Sequence, residues 1–285
     1  MTTATQAAAT AAHSGSAATE AFRESVTRRE TAAADPVRTS LLARDLLSRI
    51  HDVIREHHLT YPEYQAVKQW LIEVGQSGEW PLFLDVFVEH AVEEVATSGR
   101  RGSKGTIEGP YYLPGQTPLP ATATLPMRAG EQGEPLLFSG QVRAVGGTPL
   151  PGAQVDVWHA DADGLYSGFA PGIPAGNLRG VVTADTAGRF EIRTMLPAPY
   201  EIPKDGPTGQ LVAAAGWHAW RPAHLHLMVS VPGYRKLTTQ LYFDGGQWLN
   251  SDVAQAVKPE LILRPETGPD GTRQARYDFV LDRSC

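Results

Sequence analysis

The sequence predicts a mainly β protein, an antiparallel β-sandwich preceded by an α-helical N-terminal part. Three observations carry that expectation. A helical apolar period runs over residues 35–96 and then stops. From residue 136 onward, short strand-like runs alternate with turns and no helical stretches lie between them. Between the two patterns sits "SGRRGSKG", a Gly/Ser/basic joint at 98–105. The expected division is a mobile arm over 1–34, a helical domain over 35–104 and a sandwich over 105–285.

In the helical part, Asp35 is suited to cap a helix whose first position is Pro36. Leu42, Leu46, Ile50 and Val53 then recur at spacings of four, four and three, one amphipathic stripe. Pro62 starts a second helix with the stripe Tyr64, Val67, Leu71 and Val74, and Gly75 is a natural C-terminal stop. Pro81 starts a third. In "PLFLDVFVEHAVEEVA" the acidic residues that interrupt the apolar surface are Asp85, Glu89, Glu93 and Glu94. Such a helix has more to bury than one packing partner covers, so it meets another subunit or an apolar ligand, or forms the centre of its own bundle.

The strand-like runs are "LLFSGQVRAV", "AQVDVWH", "RGVVTADTAGRFEIRT" with a turn at Ala187-Gly188, "HLHLMVSV", "KLTTQLYF", "LILR" and "ARYDFVLDR". The long insertion "YSGFAPGIPAGNLRG", residues 166–180, is of the kind that carries function.

At 285 residues the chain can bury a sizeable core without staples. A formal net charge of -6 with no long Lys/Arg run gives no electrostatic case for nucleic acid or anionic lipid, so a small ligand is expected. The single cysteine, Cys285, is terminal, which excludes an internal disulfide and fits a reducing compartment. The segment "MTTATQAAATAAHSGSAATE" lacks a secretory signal's basic start and apolar stretch. No apolar run reaches bilayer length. A soluble cytoplasmic protein with no membrane contact follows as the expectation.

The chemistry starts at "RPAHLHLMVS". Side chains of a strand alternate between faces, so Leu225, Leu227, Val229 and Val231 share the core side and His224 and His226 share the other. Two imidazoles so placed can bind one metal; two polar residues on a solvated face fit the same pattern. Arg221 precedes the pair, and Gln240 falls on the polar side of "KLTTQLYF", so a cation and an amide can reach the same pocket. Anionic ligands are not evident. Asp161 and Asp163 in "HADADG" read as a tight turn, since no bidentate Glu follows at the spacing of a calcium loop. Tyr166 and Tyr200, each on a Gly/Pro-rich loop, are the better candidates, although a core ring with a bonded hydroxyl is the commoner fate of a tyrosine.

The blocks "TIEGPYYLPG", "WHADADGLYSGFAPGIPAGNLRG", "EIRTMLPAPYEIPKDGPTG", "GWHAWRPAHLHLMVSVPGYRKLTTQLYFDGG" and "VAQAVKPELIL" resemble, in order and spacing, the intradiol ring-cleaving dioxygenases, most closely the catechol 1,2-dioxygenases. The resemblance implies one non-haem Fe(III) per subunit, held by Tyr166, Tyr200, His224 and His226. Phenolate is a hard anion matched to a hard trivalent ion, and a bound cation lowers a tyrosine pKa from its usual value of about 10. It further implies that catechol and O2 react to give cis,cis-muconate, with Tyr200 leaving the metal to take one diol proton. Arg221 would stabilise charge developing on the ring, and Gln240 would assist there or orient a ligand. Ile107, Pro110 and Tyr111 would line the ring pocket, with Tyr111 standing where many relatives carry an aliphatic residue.

Relatives are homodimers joined through their helices around a phospholipid-like molecule in an apolar tunnel. Leu84, Val88 and Val92 are the candidates for such contacts, which makes the helical part a dimerisation domain and the sandwich the catalytic one. Chlorocatechol and hydroxyquinol dioxygenases share the layout and are the alternatives within the family; a non-catalytic sandwich holding a metal or nothing is the alternative outside it.

Overall fold

The computed structural model describes residues 35–284, so the arm expected over 1–34 and Cys285 lie outside the described residues. The N-terminal part consists of α1 (Pro36–Glu56), α2 (Tyr61–Ser77), α3 (Trp80–Phe87) and α4 (Glu89–Thr97). Asp35 caps α1 as expected, its carboxylate accepting from the Val37 N–H at 2.9 Å. None of the residues of α1 is buried. Its stripe of Leu42, Leu46, Ile50 and Val53 faces solvent within the single chain.

Two helix boundaries differ from expectation. The second helix runs through Gly75 and ends at Gly78, whose φ of 74° supplies the left-handed cap. Gly75 is instead a packing position, since a Cβ there would lie 3.3 Å from Trp80 Nε1. The third expected helix is two helices, broken at Val88 where φ is -125° and ψ is -33°. Leu84, Val88 and Val92 all remain exposed, before, at and after the break. Among the described residues no helix is long and apolar enough to cross a membrane.

The sandwich follows. One sheet has the order β1 (Pro118–Leu119), β5 (Arg179–Thr183), β4 (Gln154–His159), β9 (His224–Ser230), β10 (Leu237–Phe243) and β11 (Ile262–Leu263). The facing sheet has the order β12 (Glu266–Thr267), β13 (Arg273–Arg276), β3 (Pro135–Ala144), β6 (Arg189–Met195) and β2 (Thr122–Thr124), with β14 (Phe279–Leu281) also on β3. Its long central pairs are antiparallel, as the sandwich expectation requires. The short flanking strands β1, β2, β11, β13 and β14 join in parallel, a detail that their brevity conceals in the sequence. The turns between strands also contain a helix that was not expected, α5 (Pro207–Ala214).

Two cores result. Phe138, Val155, Val157, Ile192, Leu225, Leu227, Val229 and Leu241 pack between the sheets. Full burial of each such side chain contributes roughly 1.5–3 kcal/mol. A second cluster covers the outer face of the β4–β9–β10 sheet and joins Leu82 and Val86 of α3 to Ile107, Tyr111, Trp158, Tyr166, Tyr200 and Met228. Strand β9 serves both, with its odd-numbered apolar residues inward and His224, His226 and Met228 outward. The joint is docked by backbone bonds: Ser103 N donates to the Val280 carbonyl at 2.8 Å and Thr106 N to the Thr238 carbonyl at 3.0 Å. That docking carries the helical part to the outer face and closes the second core over the histidine pair.

Candidate active site

The alternation of β9 delivers both imidazoles to one point, with His224 Nε2 3.0 Å from His226 Nε2. The Nδ1–H of His224 donates to the Pro222 carbonyl at 2.7 Å, which fixes the ring and leaves Nε2 presenting a lone pair. Trp158, opposite His226 in the β4–β9 register, stacks on that ring at 4.8 Å. Both imidazoles are neutral. Burial and then the Arg221 charge lower His224 to about 3; burial and then His224 hold His226 well below its usual value.

Two loops bring the phenols. The "DADG" run is the expected tight turn: Asp161 Oδ1 accepts from the N–H of Asp163 at 3.0 Å and of Leu165 at 2.9 Å, which places Tyr166 next. Gly164 has φ 79°, and a Cβ there would meet Tyr200 Cβ at 2.9 Å, so only glycine lets this turn pack on the second tyrosine. Tyr166 Oη lies 3.1 Å from His226 Nε2. Tyr200 heads β7 (Tyr200–Glu201), which pairs with β8 (Trp220–Arg221) and sets Tyr200 opposite Arg221. Its hydroxyl is hydrogen-bonded to Arg221 and to Tyr166. Burial pushes both phenols upward, Tyr166 well above its usual range, against the opposing Arg221 charge.

Tyr166, Tyr200, His224 and His226 thus converge. Among the described residues no group of three or more His, Cys, Asp and Glu is placed to hold a metal, and the groups gathered at this point are two imidazoles and two phenols. The set fits a hard trivalent cation. Two donors each about 2.1 Å from a shared ion sit about 3 Å apart, the separation of the two imidazole nitrogens.

Arg221 is wholly buried. Its Nε donates to Asp252 Oδ1 at 3.0 Å, and its Nη2 to Asp252 Oδ2 at 3.0 Å and Gln240 Oε1 at 2.8 Å. Nη1 faces His224 Nε2 at 3.3 Å. Burial opposes the guanidinium charge, but the Asp252 carboxylate together with the Tyr200 and Tyr242 phenols outweighs it, so the Arg221 pKa is raised. Burial likewise opposes the Asp252 charge, and Arg221 with the Ala254 N–H together outweighs it, so that pKa is lowered. Asp252 also accepts from the N–H of Ala254 at 3.1 Å and of Ala256 at 3.2 Å. Gln240 sits between Arg221 and the pocket wall, where its Nε2 donates to the Ile107 carbonyl at 3.0 Å.

Ile107, Pro110 and Tyr111 are all buried along that wall. Tyr111 stacks on Tyr166 at 4.3 Å and meets Tyr200 edge-on at 5.7 Å. Arg179 ties wall to loop, with Nη1 donating to the Tyr111 carbonyl and Nη2 to the Ser167 carbonyl, both at 2.8 Å. Glu89 of α4 holds the near end of the wall by accepting from the N–H of Glu108 at 2.8 Å and of Gly109 at 3.2 Å.

Glu89 gives a pH prediction. Burial raises its carboxyl from an ordinary 4.5 to about 7. Between those two values the folded chain keeps a proton that the unfolded chain releases, so stability present at acidic pH is lost as pH rises to about 7 and beyond. The full effect is roughly 3 kcal/mol. Urea titrations at pH 5 and pH 8 are expected to show a smaller difference for Glu89→Gln than for the wild type; equal differences would refute the assignment.

Sequence reasoning missed Asp252, Trp158 and Tyr242 as members of this cluster, the last through its hydroxyl, which donates to Gln240 Oε1 at 2.7 Å. The even-odd parity of β4 and β10 marks Trp158 and Tyr242, since each lies on the histidine side of its strand. Asp252 has no local signal: it lies 31 residues from Arg221 in an irregular segment.

A family model described as "Dioxygenase" matches residues 107–283, and one described as "Catechol dioxygenase N terminus" matches residues 37–104. A chlorocatechol 1,2-dioxygenase of Rhodococcus opacus is 48% identical over 75% of this chain and 84% of its own length. A catechol 1,2-dioxygenase of a Pseudomonas species is 32% identical over 76% of this chain and 74% of its own length. The crystal structure of 3-chlorocatechol 1,2-dioxygenase from Rhodococcus opacus superposes with a TM-score of 0.84 at 49% identity, covering 88% of this chain and 100% of that one. Fold and matches together define a ring-cleaving oxidoreductase. The chain belongs to the intradiol ring-cleavage dioxygenase family.

Proposed function

We propose that this enzyme cleaves chlorinated catechols with O2 between the two hydroxylated carbons, giving chloro-cis,cis-muconates. The sequence placed unsubstituted catechol first with chlorocatechol as an alternative, and the similarity favours that alternative. A relative bearing that name is 48% identical, against 32% for one named for catechol. The physical support is Tyr111, whose ring, stacked 4.3 Å from Tyr166, offers an aromatic wall to a polarisable chlorine. Both atoms of O2 enter the product, and chlorine is retained, so the reaction balances without another reductant.

Tyr166, Tyr200, His224 and His226 would hold a non-haem ferric ion, one per subunit. That ion, when bound, supplies the Lewis acidity that makes the bound diol reactive towards O2. The remaining steps belong to the protein's own groups. Pro222 and Trp158 keep the two imidazoles oriented. One diol proton passes to Tyr200 Oη, whose burial favours the protonated phenol once it has accepted, while the Arg221 guanidinium beside it steadies the phenolate beforehand. Arg221 meets negative charge developing on the ring, in a place where water cannot screen it. Gln240 holds the guanidinium against the Ile107 wall, and the apolar cluster excludes water from the ring.

The exposed stripe of α1 and the exposed Leu84, Val88 and Val92 support a homodimer through the helices, with a phospholipid-like molecule among them. A second copy removes the cost of leaving that stripe in water.

Oxygen uptake with a panel of 3-chlorocatechol, 4-chlorocatechol, catechol and hydroxyquinol tests the reading. The chlorinated diols are expected to give the higher kcat/KM, with one muconate formed per O2. A preference for catechol or hydroxyquinol over both would overturn the substrate assignment, and an extradiol semialdehyde product the reaction itself. Tyr111→Leu is expected to move the chlorocatechol-to-catechol ratio by about tenfold towards catechol.

A further inference from the structure

Tyr166, Tyr200, Arg221, His224 and His226 are each at most 4% exposed, so the packed cluster leaves them little surface open to solvent. Next to them lies a cavity of about 560 Å³, in the range that holds small molecules. Phe83, Phe87, Leu211 and Trp217 line its apolar sides, and Asp252 and Val253 lie on the side towards the site. Phe87 and Val253 pack against the cluster that contains Tyr111, Tyr166 and Tyr200, and Asp252 grips Arg221. One layer of side chains therefore separates cavity from site.

The cavity is graded towards that layer. Trp217 is 54% exposed, with its ring 6.0 Å from Phe87, and Phe87 is 5.4 Å from Phe83. Aromatic faces can take the flat face of a neutral diol out of water, while His218, Ser251 and Gln255 offer partners to its hydroxyls. The layer itself is built on the segment 248–255, which has a non-glycine residue in the left-handed region at each end: Trp248 at φ 69° and Gln255 at φ 50°. Strain of this kind gathers at ligand clamps and switching segments. Between the two strained ends Asp252 is fixed by Arg221 and by two backbone N–H groups.

We propose that this cavity is the antechamber in which the catechol ring docks before it reaches the buried site, and that the segment 248–255, pivoting about Asp252, is the wall that yields. The inference rests on the proposed function, since it takes the same diol as its ligand. An obstruction here slows passage in both directions and leaves the bound state unchanged. That signature differs from damage to the site, which weakens binding.

Leu211→Trp and Ser251→Trp fill the cavity from two different elements, α5 and the segment 248–255, and are independent of each other should one fail to fold. Iron-loaded enzyme is mixed rapidly with 4-chlorocatechol in the absence of O2, and the visible phenolate-to-iron band is followed. Each variant is expected to slow association and release alike by about tenfold, with the band and the Kd of the wild type. Wild-type association rates in both variants would overturn the antechamber, as would a weakened Kd without slower association. A wild-type band that responds to no catechol would overturn the function, and the antechamber with it; a normal wild-type response separates the two.

Discussion

Replacing Tyr166 and Tyr200 together with phenylalanine is expected to give a folded protein that binds no stoichiometric iron, is colourless, and has lost ring cleavage by at least about 10³-fold. The rings remain, so the stack on Tyr111 and the edge contact between the two residues survive. Only the hydroxyls go. Two neutral imidazoles then stand alone, a donor set that suits a softer divalent ion and cannot balance a trivalent one. Metal analysis, the visible spectrum and oxygen uptake read the same event in three ways. Retained iron with an intact band would end the proposed ligand set, and unimpaired turnover would end the mechanism built on it.

The second large effect is expected at the buried Arg221–Asp252 pair. Removing either partner alone leaves a charge in the core without its counter-ion, and Asp252→Ala or Arg221→Ala is expected to lose about 3–5 kcal/mol of stability. Asp252→Ala also frees the N–H groups of Ala254 and Ala256, and Arg221 loses the contact that aims its Nη1 at His224. The double replacement Arg221→Met with Asp252→Leu removes both charges and is expected to recover most of the stability while ring cleavage stays down by about 10²- to 10³-fold. Denaturant titration and kcat together check this. Recovery of activity along with stability would mean that Arg221 only supports the loop and has no electrostatic part in the reaction.

The residues readable from the sequence share one property, which is that each is fixed by neighbours within a few positions. His224 and His226 fall on one face because a strand alternates, and that is true before any partner strand is known. Asp35 and Pro36 start a helix because a carboxylate two residues away can satisfy an orphan N–H. Gly75 misled because a glycine inside a helical pattern looks like a stop, whereas its reason is the indole of Trp80 beside it. The split at Val88 was equally hidden, since "FVEH" has no glycine or proline to mark it. Resemblance supplied what local pattern could not, naming Tyr166 and Tyr200 among nine tyrosines.

The chain alone therefore determined the period of each element, the face each histidine takes and the change from helices to strands near residue 105. These depend on backbone geometry repeated every two or 3.6 residues. Tertiary structure alone decided that loops some 60 and 24 residues before His226 and His224 bring their phenols to those rings, that Asp252 closes on Arg221, and that short flanking strands join in parallel. Such contacts come from burying one shared core. Burial selects partners by volume and charge in three dimensions, and nothing in the spacing along the chain records that choice.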